Sequence, residues 1–419
     1  MRRPLLLLCA VTAAVLAVPA SATSPEDPGG VVQRWRSDAA SPVGGLRAPS
    51  TGWERARRTS SLRTAPRLRT ATSTAPACAT AAPTSATGWQ AAFDALNDDR
   101  WSGADQGSSL RLPDGRLLWV FDDTFQGAQA ADGSRALGSR FVHNSLVLAD
   151  RGCLRGVTGP TGAEVVPGTP DGQWFWPLHA VVDGGRLFLP SSRVQRVVAP
   201  DGTSTFATSG TWLAELTVPA GGTPVFTGLW PTPASATPDT TPQWGSAVAQ
   251  AGGYTYVYGT QRVAEPFVFG KALYVARVPA GSLTDLPAWR FWTGTGWSAT
   301  ASSAQAVKGA VGGVSTSLSV WRAGDGTWRA LTKKDDYLGK DVVLLRAPAA
   351  TGPWSETVVG TSPSGAHPGE TTYNAFAHPE IALKGGDLLW SISRNDADWA
   401  DQLANADLYK PQFAQTSVR

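Results

Sequence analysis

Histidine and methionine are scarce in this chain: 419 residues hold 4 His and 1 Met. With so few imidazoles and no CxxC or HExxH spacing, zinc chemistry is argued against. Cysteine is nearly absent too, at 3 residues, and Cys9 lies within the first 22. Only Cys78 and Cys153 are left, and in an oxidising compartment two cysteines read most simply as one disulfide. Charged residues make up 16% of the chain, with 36 Lys and Arg against 33 Asp and Glu. After residue 22 no run approaches the roughly 20 apolar residues that a membrane span needs, so no span is expected. A sustained apolar period of 3.6 residues is also missing; the best helical stretch is short, "QAAFDALND" at 90 to 98.

What is present begins with "MRRPLLLLCAVTAAVLAVPASA", in which Arg2 and Arg3 precede an apolar run and a small-x-small end. That is the pattern of a signal peptide over residues 1–22, cleaved after Ala22, and it predicts a secreted, extracellular protein. Residues 23–87 are rich in Ala, Ser, Thr, Pro and Arg and read as a low-complexity basic linker or pro-segment. Much of the excess of Arg lies there, so the +3 net charge overstates the basicity of the rest. A solvated linker is the reading adopted for it, and no nucleic-acid partner is expected.

From residue 88 onward, short alternating apolar runs hinge on tight turns at Asp114-Gly115, Asp183-Gly184, Gly252-Gly253, Asp325-Gly326 and Gly385-Gly386. Each reads as a strand, a turn tolerant of positive φ, and a second strand. The turns lie 60 to 73 residues apart, the length of a four-stranded propeller blade with long loops. Outer strands are expected at 144–150, 210–219, 272–279 and 342–354. With 45 Gly, 31 Pro and 18 Trp, the fold class is all-β, a five-bladed β-propeller over residues 88–419. Ring closure is expected to join a C-terminal strand in 406–418 to an opposing strand near Cys78 to Trp89. An irregular pair of β-sandwiches is the alternative.

In such a ring the first residues of each innermost strand reach one face, where ligands bind. The segments leading into blades are "WSGADQGSS", "SRFVHNSLV", "GQWFWPLHA", "PQWGSAV" and "TTYNAFAHPEI". On a second count "FVHNSLV" is an outer element of blade one and "GGVSTSLSV" leads into a blade. Under either count these segments gather Asp, His, Asn, Trp and Tyr ahead of apolar strand bodies. Rings that stack on sugars beside polar groups that bond hydroxyls suit a saccharide site, although Trp also packs between blades. The substrate-binding candidates are His143, Asn144, Trp176, His179, Trp244, Tyr373, Asn374 and His378.

The stretch "GADQGSSLRLPDGRLLWVFDDTF", followed by "RFVHNSLVL", "YVYGTQR", "ARVPAGSL", "GPW" and "YNAFAHPEI", resembles the five-bladed β-propeller glycoside hydrolases. The likeness is closest to secreted actinobacterial relatives long catalogued as domains of unknown function, some of which cleave D-arabinan. It is more distant to arabinanase and β-xylosidase propellers. The resemblance implies a pair of channel carboxylates, one acting as base or nucleophile and one as acid. Asp105 matches the first-strand Asp. Asp123 is either a second catalytic carboxylate or a structural one, and at opposite ends of one hairpin segment the two are not expected to act as a pair. For the acid, Glu380 and Asp396 are the leading candidates, ahead of Glu215 and Glu265. No cofactor is expected, a structural Ca2+ near the axis being the one that the resemblance admits, beside His143 or His378. The expected partner is a polysaccharide or oligosaccharide substrate, and the expected state a monomer. A glycan-binding propeller without catalysis is the rival reading. A sialidase-like enzyme using Arg140, Arg193, Arg262 and Arg394 is a third, weakened because no Asp-box repeat is present.

Overall fold

The computed structural model describes residues 81–198, 204–362 and 369–418. The expected signal peptide, most of the basic linker and Cys78 lie outside the described residues. The fold is a five-bladed β-propeller made of five antiparallel sheets. Blade 1 holds β1 (Gly103–Arg111), β2 (Leu117–Gln126), β3 (Arg140–Val142), β4 (Ser145–Asp150) and β5 (Cys153–Val157). Blade 2 holds β6 (Trp174–Pro177), β7 (Val181–Asp183), β8 (Arg186–Val198), β9 (Ser204–Thr217) and β10 (Val225–Pro231). Blade 3 comprises β11 (Gln243–Ala251), β12 (Tyr254–Gln261), β13 (Ala272–Pro279), β14 (Arg290–Trp292) and β15 (Trp297–Ser298). Blade 4 has β16 (Ser319–Arg322), β17 (Trp328–Lys333), β18 (Asp341–Ala347) and β19 (Ser355–Thr361). Blade 5 has β20 (Glu370–Ala377), β21 (Leu388–Asp396) and β22 (Gln412–Thr416).

Each of the five Gly/Asp turns falls in a different blade, so the second blade count is the correct one. "FVHNSLV" spans β3 and β4 of blade 1, and "GQWFWPLHA" leads into blade 2 rather than blade 3. At the Gly252-Gly253 turn both residues sit at positive φ, 58° and 79°, which an L side chain rarely accepts.

The inner strands bury both faces, because every blade is sandwiched between two others. Along β2, Leu117, Trp119 and Phe121 pack toward blade 5, while Leu118 and Val120 pack toward blade 2. One apolar cluster fills each of the five gaps between blades. Trp119 is fully buried in the first, and truncating a residue of that size costs about 3–5 kcal/mol.

Closure differs from the expected pairing. β22 completes blade 5 on β21 as foreseen, but the N-terminal segment supplies a helix, α1 (Ala86–Asp94), in place of an opposing strand. Ser85 caps that helix by accepting from the Gly88 amide. The helix is tied to β22 where Gln415 Oε1 accepts from the Ala86 amide and Gln90 Oε1 from the Phe413 amide, both at 2.9 Å. Its buried Trp89 and Phe93 complete the gap between blades 5 and 1.

Candidate active site at the axial rim of blade 1

Blade 1 brings together what the sequence sets far apart. Ala104 pairs with Thr124 and Gln106 with Phe121, so Asp105 alone opposes both Asp122 and Asp123. Antiparallel pairing folds the two ends of the hairpin onto one rim, so Asp105 and Asp123 are cross-strand neighbours in the backbone. Residues opposed in this way stand about 4.5–5.5 Å apart at Cα. The two-against-one count is a β-bulge, a device that re-aims side chains. Gln106 holds it at φ 69°, and Asn374 of β20 sits in a matching register shift at φ 51°. Neither residue is glycine, so both carry backbone strain of the kind that concentrates at functional sites.

The Asp105 carboxylate is fully buried and is oriented from blade 5. Tyr373 donates its hydroxyl to Asp105 Oδ2 at 2.6 Å, Asn395 Nδ2 donates to that hydroxyl at 3.0 Å, and Gln402 Nε2 donates to Asn395 Oδ1 at 2.7 Å. Each donor in this relay fixes the direction of the next hydrogen, so the phenol proton points at Asp105. Gln402 belongs to a short helix, α2 (Trp399–Ala404), packed over this end of the ring.

Asp123 is held from the other side. Trp176 Nε1 donates to its Oδ1 at 2.8 Å, and His143 Nδ1 lies 3.0 Å from the same oxygen. The His143 ring stacks on Trp174 at 4.5 Å and 18°, so two contacts define its plane. With the Nδ1 hydrogen on Asp123, Nε2 is turned away and has no partner among the described residues. Asp123 Oδ2 is buried and has no hydrogen-bond partner among the described residues.

Across the axis, Gln106 Nε2 donates to Ser317 Oγ at 3.1 Å, which joins blade 1 to the segment leading into blade 4. The acceptors Gln106 Oε1 and Asn374 Oδ1 are buried here without hydrogen bonds. Beside Ser317, Thr316 donates from its hydroxyl to Asp336 Oδ2 at 3.3 Å, and Lys271 Nζ lies 3.6 Å from that oxygen. Burial pushes the Asp336 carboxyl above its ordinary range, with Lys271 and Lys333 opposing the shift. Burial also brings the Lys333 ammonium down to about 8, while its hydrogens are given to Tyr337 O and Thr372 O. Asp336 escaped the sequence reading. Its only signal was the charge-dense "KKDDYLGKD" between two strands, which looks like any solvated loop.

The remaining candidates do different work. Asn144 spends both ends of its amide on Val166 and Phe175 backbone, fastening a loop. Trp244 packs against Trp289 and Phe291 between blades 2 and 3. Asp396 accepts the Asp398 amide where the chain turns into α2. His179 is buried with Nδ1 on Ala180 O, and burial lowers its pKa to about 4. Glu380 and His378 stand at the far end of β1, where both engage Ser109 Oγ. Four residues of strand separate that serine from Asp105, about 13 Å at 3.3 Å per residue. Desolvation raises the Glu380 carboxyl above its ordinary value, yet Arg111 clamps its backbone and it does not share the Asp105 rim. Glu215 bonds Arg186 and Trp230 in the body of blade 2, and Glu265 is exposed. The four arginines are spent separately: Arg140 on Thr161 O, Arg193 on Ser209, Arg262 on Asp239 and Arg394 on Glu370. They do not gather into the anion clamp of a sialidase-like site.

Nor do the histidines among the described residues offer a cation cage. His378 has both nitrogens on serine hydroxyls, at 2.6 and 2.9 Å, and burial lowers its pKa to about 3. Among the described residues no group of three or more His, Cys, Asp or Glu is arranged to hold a metal. No chemical step is therefore routed through Ca2+.

Residues 91–417 match the family described as "Domain of unknown function (DUF5005)". The chain belongs to that family. No curated protein matches it in sequence. Among solved structures, a protein of Bacteroides ovatus with the provisional name of hydrolase is 18% identical over 78% of this chain and 88% of its own, with a TM-score of 0.59. A β-xylosidase/α-arabinofuranosidase from a compost microbial metagenome is 13% identical over 75% of this chain and 90% of its own, at 0.42. The arabinanase of Bacillus subtilis is 10% identical over 75% and 94%, at 0.38. The last two are glycoside hydrolases by name. The first supports the propeller fold; the others are too distant to bear on site or substrate.

Proposed function

We propose that this member of the family is a secreted glycoside hydrolase that cleaves a polysaccharide of arabinan type at the axial rim of blade 1. The observation that carries the reading is the bulge that sets Asp105 against Asp122 and Asp123, with Tyr373 and His143 oriented on the two outer carboxylates. Asp105 serves as base or nucleophile. As base it takes a proton from water while the water oxygen bonds to the anomeric carbon and the glycosidic bond breaks. The leaving oxygen takes its proton from His143 Nε2, and the Asp123 carboxylate stabilises the imidazolium that precedes that transfer. Trp174 and Trp176 define the adjoining wall. Secretion, a monomeric state and a Cys78–Cys153 disulfide belong to this same proposal.

Asp105 is closed off from solvent in this structure, so substrate must displace whatever covers the rim. The rival reading is a propeller that binds glycan without cleaving it. Product release from a panel holding D-arabinan-containing arabinogalactan and L-arabinan separates the two. Oligosaccharides appearing over time support hydrolysis; retention of one polysaccharide with no product overturns it in favour of binding.

A further inference from the structure

A cavity of about 290 Å³ lies away from the axis, at the outer side of blades 1 and 2, lined by Arg100, Arg155, Thr158, Thr161, Thr223 and the backbone of three glycines. No acidic residue lines it. Arg155 projects from β5 and Arg100 from the loop before β1; neither guanidinium has a hydrogen bond or ion pair among the described residues. Arg116, Arg186, Arg262, Arg329 and Arg394 each lie within 3.4 Å of a carboxylate. The nearby carboxylate that might have served, Asp98, is consumed by the backbone amides of Arg100, Trp101 and Gly156, at 2.7 to 2.8 Å. Arg140 adds a third guanidinium at the border, where it donates to Thr161 O at 3.0 Å.

Two guanidinium groups lining one cavity can share an anion through charge-assisted, often bidentate bonds. Gly156 keeps the backbone close: a Cβ there would meet Arg100 Cβ at 2.9 Å. The threonine hydroxyls around the cations suit the hydroxyls of a sugar, and the volume approaches the lower end of small-ligand sites.

We propose that this cavity is a second binding site for an anionic sugar residue, one bearing a carboxylate or a phosphate, with Arg100 and Arg155 gripping the anion and the threonines its hydroxyls. The site stands independently of hydrolysis at the axis. The test is calorimetric titration of the full chain with glucuronate, glucose 6-phosphate, inorganic phosphate and uncharged glucose, repeated with Arg155→Ala and with Arg100→Ala/Arg155→Ala. Saturable binding of glucuronate or glucose 6-phosphate, weakened at least tenfold in both variants and absent for glucose, is the expected result. Preference between the two names the anion. Binding of inorganic phosphate as tight as that of glucose 6-phosphate would overturn the sugar part of the proposal. Absence of binding by all four, or binding unchanged in the double variant, would overturn the site itself. Unchanged melting temperatures in the variants establish that both remain folded.

Discussion

The two ends of blade 1 hold the same kinds of residue and treat them oppositely. At the turn end, His378, Ser109, Glu380 and Arg111 form a closed set in which both imidazole nitrogens and the glutamate are bonded. At the axial end, Asp123 Oδ2, Gln106 Oε1 and Asn374 Oδ1 are buried with hydrogen-bonding capacity unspent, and two residues keep positive φ. A His and a carboxylate side by side therefore do not mark a site. What marks it is strain and unspent polarity that the fold tolerates at a cost in stability.

That contrast can be broken by substitution. Asp105→Asn keeps an acceptor for Tyr373 and should lower kcat by about 10³-fold or more while leaving the melting temperature within about 3 °C, checked by product assay and calorimetry. His143→Ala should lower kcat on polysaccharide by about 10²–10³-fold, the range of a lost proton donor. Its deficit should shrink on aryl glycosides, whose leaving groups need no proton; an equal deficit on both would assign His143 to binding.

The buried structural histidines predict effects on stability instead. His378 and His179 are held neutral in the fold, with pKa values lowered to about 3 and about 4. A histidine whose folded pKa is depressed contributes stability that is fully present above its unfolded value near 6.5 and is lost as the pH falls below it. Unfolding free energy should drop between pH 6.5 and 4 by up to about 1.4 kcal/mol per pH unit for each histidine. Denaturant titration across that window checks the slope, and His378→Gln should flatten it. Smallest of all, Glu380→Gln should alter kcat less than twofold.

Much of the ring was legible in the sequence because its signals are local. Glycines at the five turns take up positive φ, and the apolar runs beside them are as long as strands, so the blade number followed. The grouping at the rim was not legible, since Asp105 meets Asp122 and Asp123 only through a register that a bulge shifts by one residue. Trp244 illustrates a second limit: a tryptophan packed between blades and one beside a carboxylate, such as Trp176, both stand in a segment leading into a blade. Asp336 shows a third, because Lys271 and Lys333 reach it from two different blades.

The most direct measurement sets Asp105→Asn beside His378→Asn, reading kcat on the cleaved polysaccharide and the melting temperature of each. The account predicts that the first loses turnover and keeps its melting temperature, while the second keeps most of its turnover and melts several degrees lower. The reverse pattern, or loss of both quantities in both variants, would contradict the division of blade 1 into a working end and a structural one.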